Sequence, residues 1–146
     1  MVYLNNYLVI LLLLMTLPLL ATARNDDWRL VWSDEFNTEG RLSPSVWNYE
    51  QGYVRNEEAQ WYQPDNAVCK GGFLVIEARK ERNRQNPLYI PGSNDWRKER
   101  EFIEYTSSSV TTAGKKEFLY GRFEVRARIP VAKGAWPAIW TLGSNM

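Results

Sequence analysis

The most constraining stretch of this chain is Tyr120-Gly121-Arg122-Phe123-Glu124-Val125-Arg126-Ala127-Arg128-Ile129-Pro130. Its apolar residues, Phe123, Val125, Ala127 and Ile129, alternate strictly with Arg122, Glu124, Arg126 and Arg128. A period of two belongs to an extended strand with one buried face, and no helix can use it. The polar face holds three Arg and one Glu about 7 Å apart at each step. One reading is a solvated face with mutual ion pairs. The other is a polar groove wall whose ion pairs hold the side chains ready for a ligand.

The following segment favours the groove. In Trp136-Pro137-Ala138-Ile139-Trp140-Thr141-Leu142, both Trp fall on one face, two steps apart. Planar apolar platforms beside a few fixed polar groups are what a carbohydrate cleft requires. The chain has seven Trp in 146 residues and is 14% aromatic. That supply allows several to line a groove as well as fill a core.

The rest of the pattern is also β. Residues 28–32, 46–50, 59–62, 73–79 and 105–112 read as short strands between turn signals, with Gly71-Gly72 and Gly114-Lys115-Lys116 as turns. Residues 81–100 are polar, show no 3.6 period and read as a long surface loop. Short strands at regular spacing without a helix predict an antiparallel sandwich.

Composition excludes several functions. The net charge is +1, and Lys and Arg are interleaved with Asp and Glu, so no basic stripe marks a nucleic-acid partner. There is no His, which removes His-based metal sites and Ser-His or Cys-His catalysis from this segment. The lone Cys69 cannot form an internal disulfide, and Ala67-Val68-Cys69-Lys70 suits a buried strand thiol.

The first 23 residues lack charged side chains, and Leu8 to Leu20 is an almost unbroken apolar run. Ala21-Thr22-Ala23 then offers a small-x-small site ahead of Arg24-Asn25-Asp26-Asp27. This layout predicts a signal peptide over 1–23, cleaved after Ala23. A spanning helix is the rival, but the run falls short of the ~20 residues a bilayer needs and carries Pro18 near its end. The expected destination is secreted or periplasmic, with no membrane partner after cleavage.

Four segments in order carry a family resemblance. Trp28-Arg29-Leu30-Val31-Trp32-Ser33-Asp34-Glu35-Phe36 resembles the opening strand of glycoside hydrolase family 16. Asn56-Glu57-Glu58-Ala59-Gln60-Trp61-Tyr62 is similar to its N-E-x-Q-x-Y segment. The 120–127 stretch resembles its Y-G-x-[FY]-E-x-R signature, and Gly134-Ala135-Trp136-Pro137-Ala138-Ile139-Trp140 its laminarinase-like G-x-W-P-A-x-W form. Each motif is weak alone; the ordered set, over nearly all of 28–146, is strong.

The resemblance implies a concanavalin-like β-jelly roll of two curved antiparallel sheets with a groove on the concave face. Residues 24–146 would be the N-terminal portion of such a catalytic domain. It implies that Asn56, Glu124, Arg126, Trp136 and Trp140 line the groove for a β-glucan polysaccharide or oligosaccharide, with Tyr53 in the same loop. Glu35 and the Gly72 carbonyl match positions that help hold a structural calcium in some members, and oxygen ligands suit that ion. No cofactor is expected for catalysis.

Family chemistry is retaining hydrolysis by two glutamates on one strand, roughly 5–5.5 Å apart, through a covalent glycosyl-enzyme intermediate. In the family that strand follows the W-P-A-x-W segment, so the catalytic residues are expected just after Met146. This segment alone is then expected to be inactive. Glu57 and Glu58 are adjacent and would face opposite ways on an extended chain. Glu99 and Glu101 sit among Lys98 and Arg100 on the expected surface loop. Glu124 is flanked by Arg residues that favour its ionised form, the wrong one for a general acid. None of these is assigned catalysis. A non-catalytic β-glucan-recognition relative is the alternative, and the third is a relative with another substrate, such as a mixed-linkage glucan or a transglycosylation acceptor.

Overall fold

The computed structural model describes residues 28–145. The expected leader and its cleavage site lie outside them. The chain divides into two compact units, 1–33 and 34–146. Of the first, residues 28–33 are described. They form no strand, and Trp28, Leu30 and Val31 are exposed. The strand expected at 28–32 is therefore absent. Alternation marks which side chains could share a face, but a strand exists only where a neighbour completes its hydrogen-bond ladder.

The second unit is built from seven short strands: β1 Asn48–Tyr49, β2 Gln60–Tyr62, β3 Ala67–Lys70, β4 Phe73–Ile76, β5 Arg79–Gln85, β6 Phe102–Ser107 and β7 Val110–Thr111. One 3-10 turn, Pro64–Asn66, is the sole helical element among the described residues. The chain is all-β, as its pattern predicts. The strands pair into three small sheets, β1-β7, β2-β6-β5 and β3-β4.

Local chemistry accounts for the clearest unit, the β3-β4 hairpin. Lys70 pairs with Phe73, leaving Gly71 and Gly72 as a two-residue connection. Both have positive φ, 60° and 74°, the conformation of a type I′ turn, which side chains disfavour. On β3, Ala67 and Cys69 point inward while Val68 and Lys70 face out. Burial raises the Cys69 thiol pKa, with Asp34 and Glu39 adding to the rise, so it is a packing group and not a nucleophile.

Two expectations about strands are corrected here. Part of the stretch read as a loop from 81 to 100 is strand: β5 runs to Gln85. It is a charged edge strand, and charge on an edge blocks further pairing. A bulge also hides its period. Three residues, 81–83, face Glu104 alone, and Asn83 takes a φ of 54° there. The second correction is direction. β2 and β6 run parallel, although β6 is antiparallel to β5. The residues between β2 and β6 include a hairpin and the return strand β5, a connection long enough to bring the chain back in the same sense.

β6 lies at the middle of its sheet, and Ile103 on it is 1% exposed. The buried apolar set is small: Leu42, Tyr53, Ala67, Cys69 and Ile103. Asn66 and Thr106 share that interior with partners supplied. Asn66 donates to the Glu77 carbonyl at 2.9 Å and to Thr106 Oγ1 at 3.1 Å, while Gln63 donates to Asn66 Oδ1 at 2.6 Å. Thr106 in turn donates to Glu81 at 2.6 Å.

The two strands that looked clearest in sequence do not form. Residues 117–145 contain no strand and are exposed throughout. Phe123, Val125 and Ile129 are each more than half exposed. The 120–130 alternation has no ladder partner among the described residues, and neither has 136–142. A stripe of apolar side chains needs both a neighbouring strand and an opposing layer before it becomes a buried face.

Candidate functional site

The site forms around residues 50–62, the loop that joins β1 to β2 together with β2 itself. Its ends are fixed first. Glu50 accepts from the Arg55 guanidinium and from the Ser109 hydroxyl, and its amide donates to the Ser109 carbonyl at 3.0 Å. Gly52 and Tyr62 exchange backbone hydrogen bonds at 2.9 and 3.0 Å. The chain therefore crosses itself at the base of the loop.

Within the loop, Asn56 and Glu57 both take left-handed φ, 56° and 54°. Asn tolerates that region; Glu pays about 1–2 kcal/mol. Such a pair persists only where surrounding bonds dictate it. Those bonds come from far along the chain. Arg97 donates to the carbonyls of Tyr53 and Val54 at 3.2 and 3.3 Å. Arg100 donates to those of Glu58 and Glu57 at 3.1 and 3.2 Å. Asn56 sits between these two pairs, exposed to solvent.

A second layer faces β2. Tyr62 Oη donates to Glu58 Oε2 at 2.9 Å and accepts from Gln60 Nε2 at 2.7 Å. Gln60 also reaches Glu58 at 2.8 Å. Burial raises the Tyr62 pKa, so the hydroxyl stays a donor at neutral pH. The Arg55 guanidinium lies 5.8 Å from the Tyr62 ring centroid and 5.5 Å from that of Trp140. Burial works against its charge, but Glu50 more than offsets this, and the Arg55 pKa is raised. The result is a permanent cation fixed between a carboxylate and two aromatic rings.

The expected site residues separate into groups. Trp140 meets the loop through Arg55, the residue before Asn56. Trp140 is 60% exposed, so an aromatic surface remains available to a ligand. Trp136 is 92% exposed. Glu124 pairs with Arg122 at 2.6 Å, which matches the ion pairing expected of that polar set. Arg126 lies over Phe73 of β4, 6.0 Å from the ring centroid.

Tyr53 is a correction. It is 4% exposed, packed edge-on to Trp61 with ring centroids 5.4 Å apart and tilted against Trp96 at 5.8 Å. Arg100 covers its ring at 5.4 Å. Burial raises its pKa against the opposing pull of Arg100, through its hydrogen bonding and its charge. Tyr53 supports the loop from beneath and does not line an open groove.

Arg55, Arg97 and Arg100 were not singled out as site residues by sequence. Arg55 had a usable signal, its place immediately before Asn56. Arg97 and Arg100 had none, because they are more than forty residues away in a charged stretch.

Asp34 gives the 34–36 segment its shape by accepting from the Phe36 amide at 2.9 Å and from Trp47 Nε1 at 2.7 Å. Glu35 next to it is exposed. Near Gly72 the structure places Asn37 Oδ1, 3.5 Å from where a Cβ would stand. Calcium takes about six to eight oxygens. Among the described residues no group of three or more His, Cys, Asp or Glu could hold a metal ion.

Similar proteins point to one class. A "Beta-glucanase" of Rhodothermus marinus is 43% identical over 120 residues, covering 79% of this chain and 36% of that protein. A "Glucan endo-1,3-beta-glucosidase" of Cryptopygus antarcticus is 38% identical, covering 81% of this chain and 40% of its own length. A structure solved in work on endo-acting O-glycanases of the human gut microbiota superposes with a TM-score of 0.56 at 39% identity, over 66% of this chain and 35% of that one. The chain thus spans well under half the length of these relatives. Fold and motifs together define an all-β domain of the jelly-roll class of glycoside hydrolase family 16. Within it, the chain belongs to the family described as "Beta-glucan synthesis-associated protein SKN1/KRE6/Sbg1", whose model matches residues 18–146.

Proposed function

We propose that this chain is part of an exported protein that binds β-1,3-glucan or a related β-glucan and hydrolyses it with retention. The observation that carries the reading is the fixed pairing of Arg55 with the half-open ring of Trp140, beside Asn56. A pyranose stacks its C–H face on such a ring, and neighbouring amide and guanidinium groups hydrogen-bond its hydroxyls. The names of the relatives, a beta-glucanase and a glucan endo-1,3-beta-glucosidase, support the substrate class.

In this reading the segment supplies binding and orientation. The retaining reaction needs two carboxylates about 5–5.5 Å apart, and none of the glutamates weighed above is assigned to it. Affinity electrophoresis through laminarin tests the binding part. Trp140→Ala should weaken retention by about tenfold, equivalent to about 1.4 kcal/mol. Equal retention of the wild type and this variant would sink the platform.

The family description also favours a second reading, a glucan-binding role in synthesis without hydrolysis. Laminarin retention with no release of reducing sugar from the full gene product would select it. Export follows from the apolar run and Ala21-Thr22-Ala23. The mature N-terminus should be Arg24 by protein sequencing; an intact Met1 in the secreted product would overturn that.

A further inference from the structure

We infer that Asn86, Arg97 and Arg100 form a positioning relay that holds residues 53–58 in the one conformation able to present Asn56 to a sugar. The relay has two stages, both visible as hydrogen bonds. In the first, Asn86, 4% exposed, donates through Nδ2 to the carbonyls of Arg97 and Arg100 at 3.0 and 2.8 Å. Its Oδ1 accepts from the Leu88 amide at 2.9 Å, and its own amide donates to the Glu101 carbonyl at 2.9 Å. One buried side chain thereby closes the 86–101 loop and sets where both arginines start.

In the second stage the two guanidiniums reach across to the other loop. Each spans two adjacent carbonyls, Arg97 those of Tyr53 and Val54, Arg100 those of Glu57 and Glu58. A guanidinium is a rigid planar fork, so two donors directed at neighbouring acceptors fix direction as well as distance. The bonds bracket the left-handed pair Asn56 and Glu57 on both sides. Backbone in that region does not hold itself, and no other long-range side chain is seen on these four carbonyls among the described residues.

Ring contacts reinforce the fork. Arg100 lies over Tyr53 and Arg97 over Trp96, 4.6 Å from its centroid, while Trp96 itself packs on Tyr53. Asp95 keeps Arg97 and Lys98 oriented at 3.7 and 3.4 Å. The stretch that sequence suggests is a solvated loop is therefore the outer wall that shapes the sugar-facing one. The sugar arm of this inference rests on the glucan reading; the structural arm does not.

The test combines amide hydrogen exchange with laminarin retention on the full chain, for wild type, Asn86→Ala, the double variant Arg97→Ala/Arg100→Ala and its counterpart Arg97→Lys/Arg100→Lys. Exchange in a peptide spanning 50–62 should rise at least about tenfold in all three variants, while the β3-β4 peptide keeps its wild-type rate. Laminarin retention should weaken by about tenfold. The Lys pair keeps the charge but not the fork, so it should not restore loop protection.

Exchange that is unchanged, that rises equally in β3-β4, or that is already unprotected in the wild type would overturn the relay. So would full recovery by the Lys pair, which would reduce the effect to charge. Relay-dependent exchange without any wild-type affinity for laminarin would overturn the glucan reading and leave the relay standing.

Discussion

Replacing Ile103 with alanine should lower the stability of the second unit by about 2–5 kcal/mol. Ile103 is 1% exposed on the central strand β6, where it pairs with Arg84 of β5. Truncation removes apolar surface from the interior and leaves a cavity that paired strands cannot close by moving. Because the buried apolar set is so small, there is little else to compensate. Urea denaturation followed by Trp fluorescence measures the effect. Val131→Ala is the internal control: Val131 is 97% exposed, and its loss should change stability by no more than about 0.5 kcal/mol. Equal losses at the two positions would show that the small interior does not carry the fold.

Asn66→Ala is expected to cost about 2–4 kcal/mol, through a different mechanism. Asn66 is 1% exposed and joins three parts of the fold: the Glu77 carbonyl between β4 and β5, Thr106 on β6, and Gln63 before the 3-10 turn. Its removal takes the side-chain donor from the Glu77 carbonyl and from Thr106 Oγ1, and unsettles the Thr106–Glu81 bond beyond it. Asn66→Asp separates hydrogen bonding from volume. The carboxylate has nearly the same shape but cannot donate to the Glu77 carbonyl, so it should cost as much as alanine or more. If the Asn66→Asp variant behaved like the wild type, shape alone would explain the residue. Chemical denaturation at neutral pH decides between them.

Local signals are legible where the physics is local. Gly71-Gly72 admits the positive φ that a two-residue hairpin turn demands, and the hairpin forms there. Alternation in Ala67-Val68-Cys69-Lys70 correctly places the thiol inside. β5 escapes a reading by pattern because its bulge at 81–83 breaks the period on which strand reading depends. The parallel pairing of β2 with β6 escapes it because no sequence pattern reports the direction of a partner.

The site divides the same way. The motifs name Asn56 and Trp140 as candidate groove residues. The arginine forks at residues 97 and 100 are not legible, since a hydrogen bond over forty residues leaves no spacing to read. Sequence puts Tyr53 in the right loop but on the wrong side of it. Its neighbours in sequence do not reveal Trp61 and Trp96 closing over it.

Sequence by itself determined the all-β character, the hairpin turn, the buried cysteine and the family, since each rests on residue type and short-range order. Tertiary structure alone decided which alternating stretches become strands. Residues 120–130 hold the most regular pattern in the chain, yet Phe123, Val125 and Ile129 stay open to solvent. A period of two says how a face is divided; burial depends on what is packed against it.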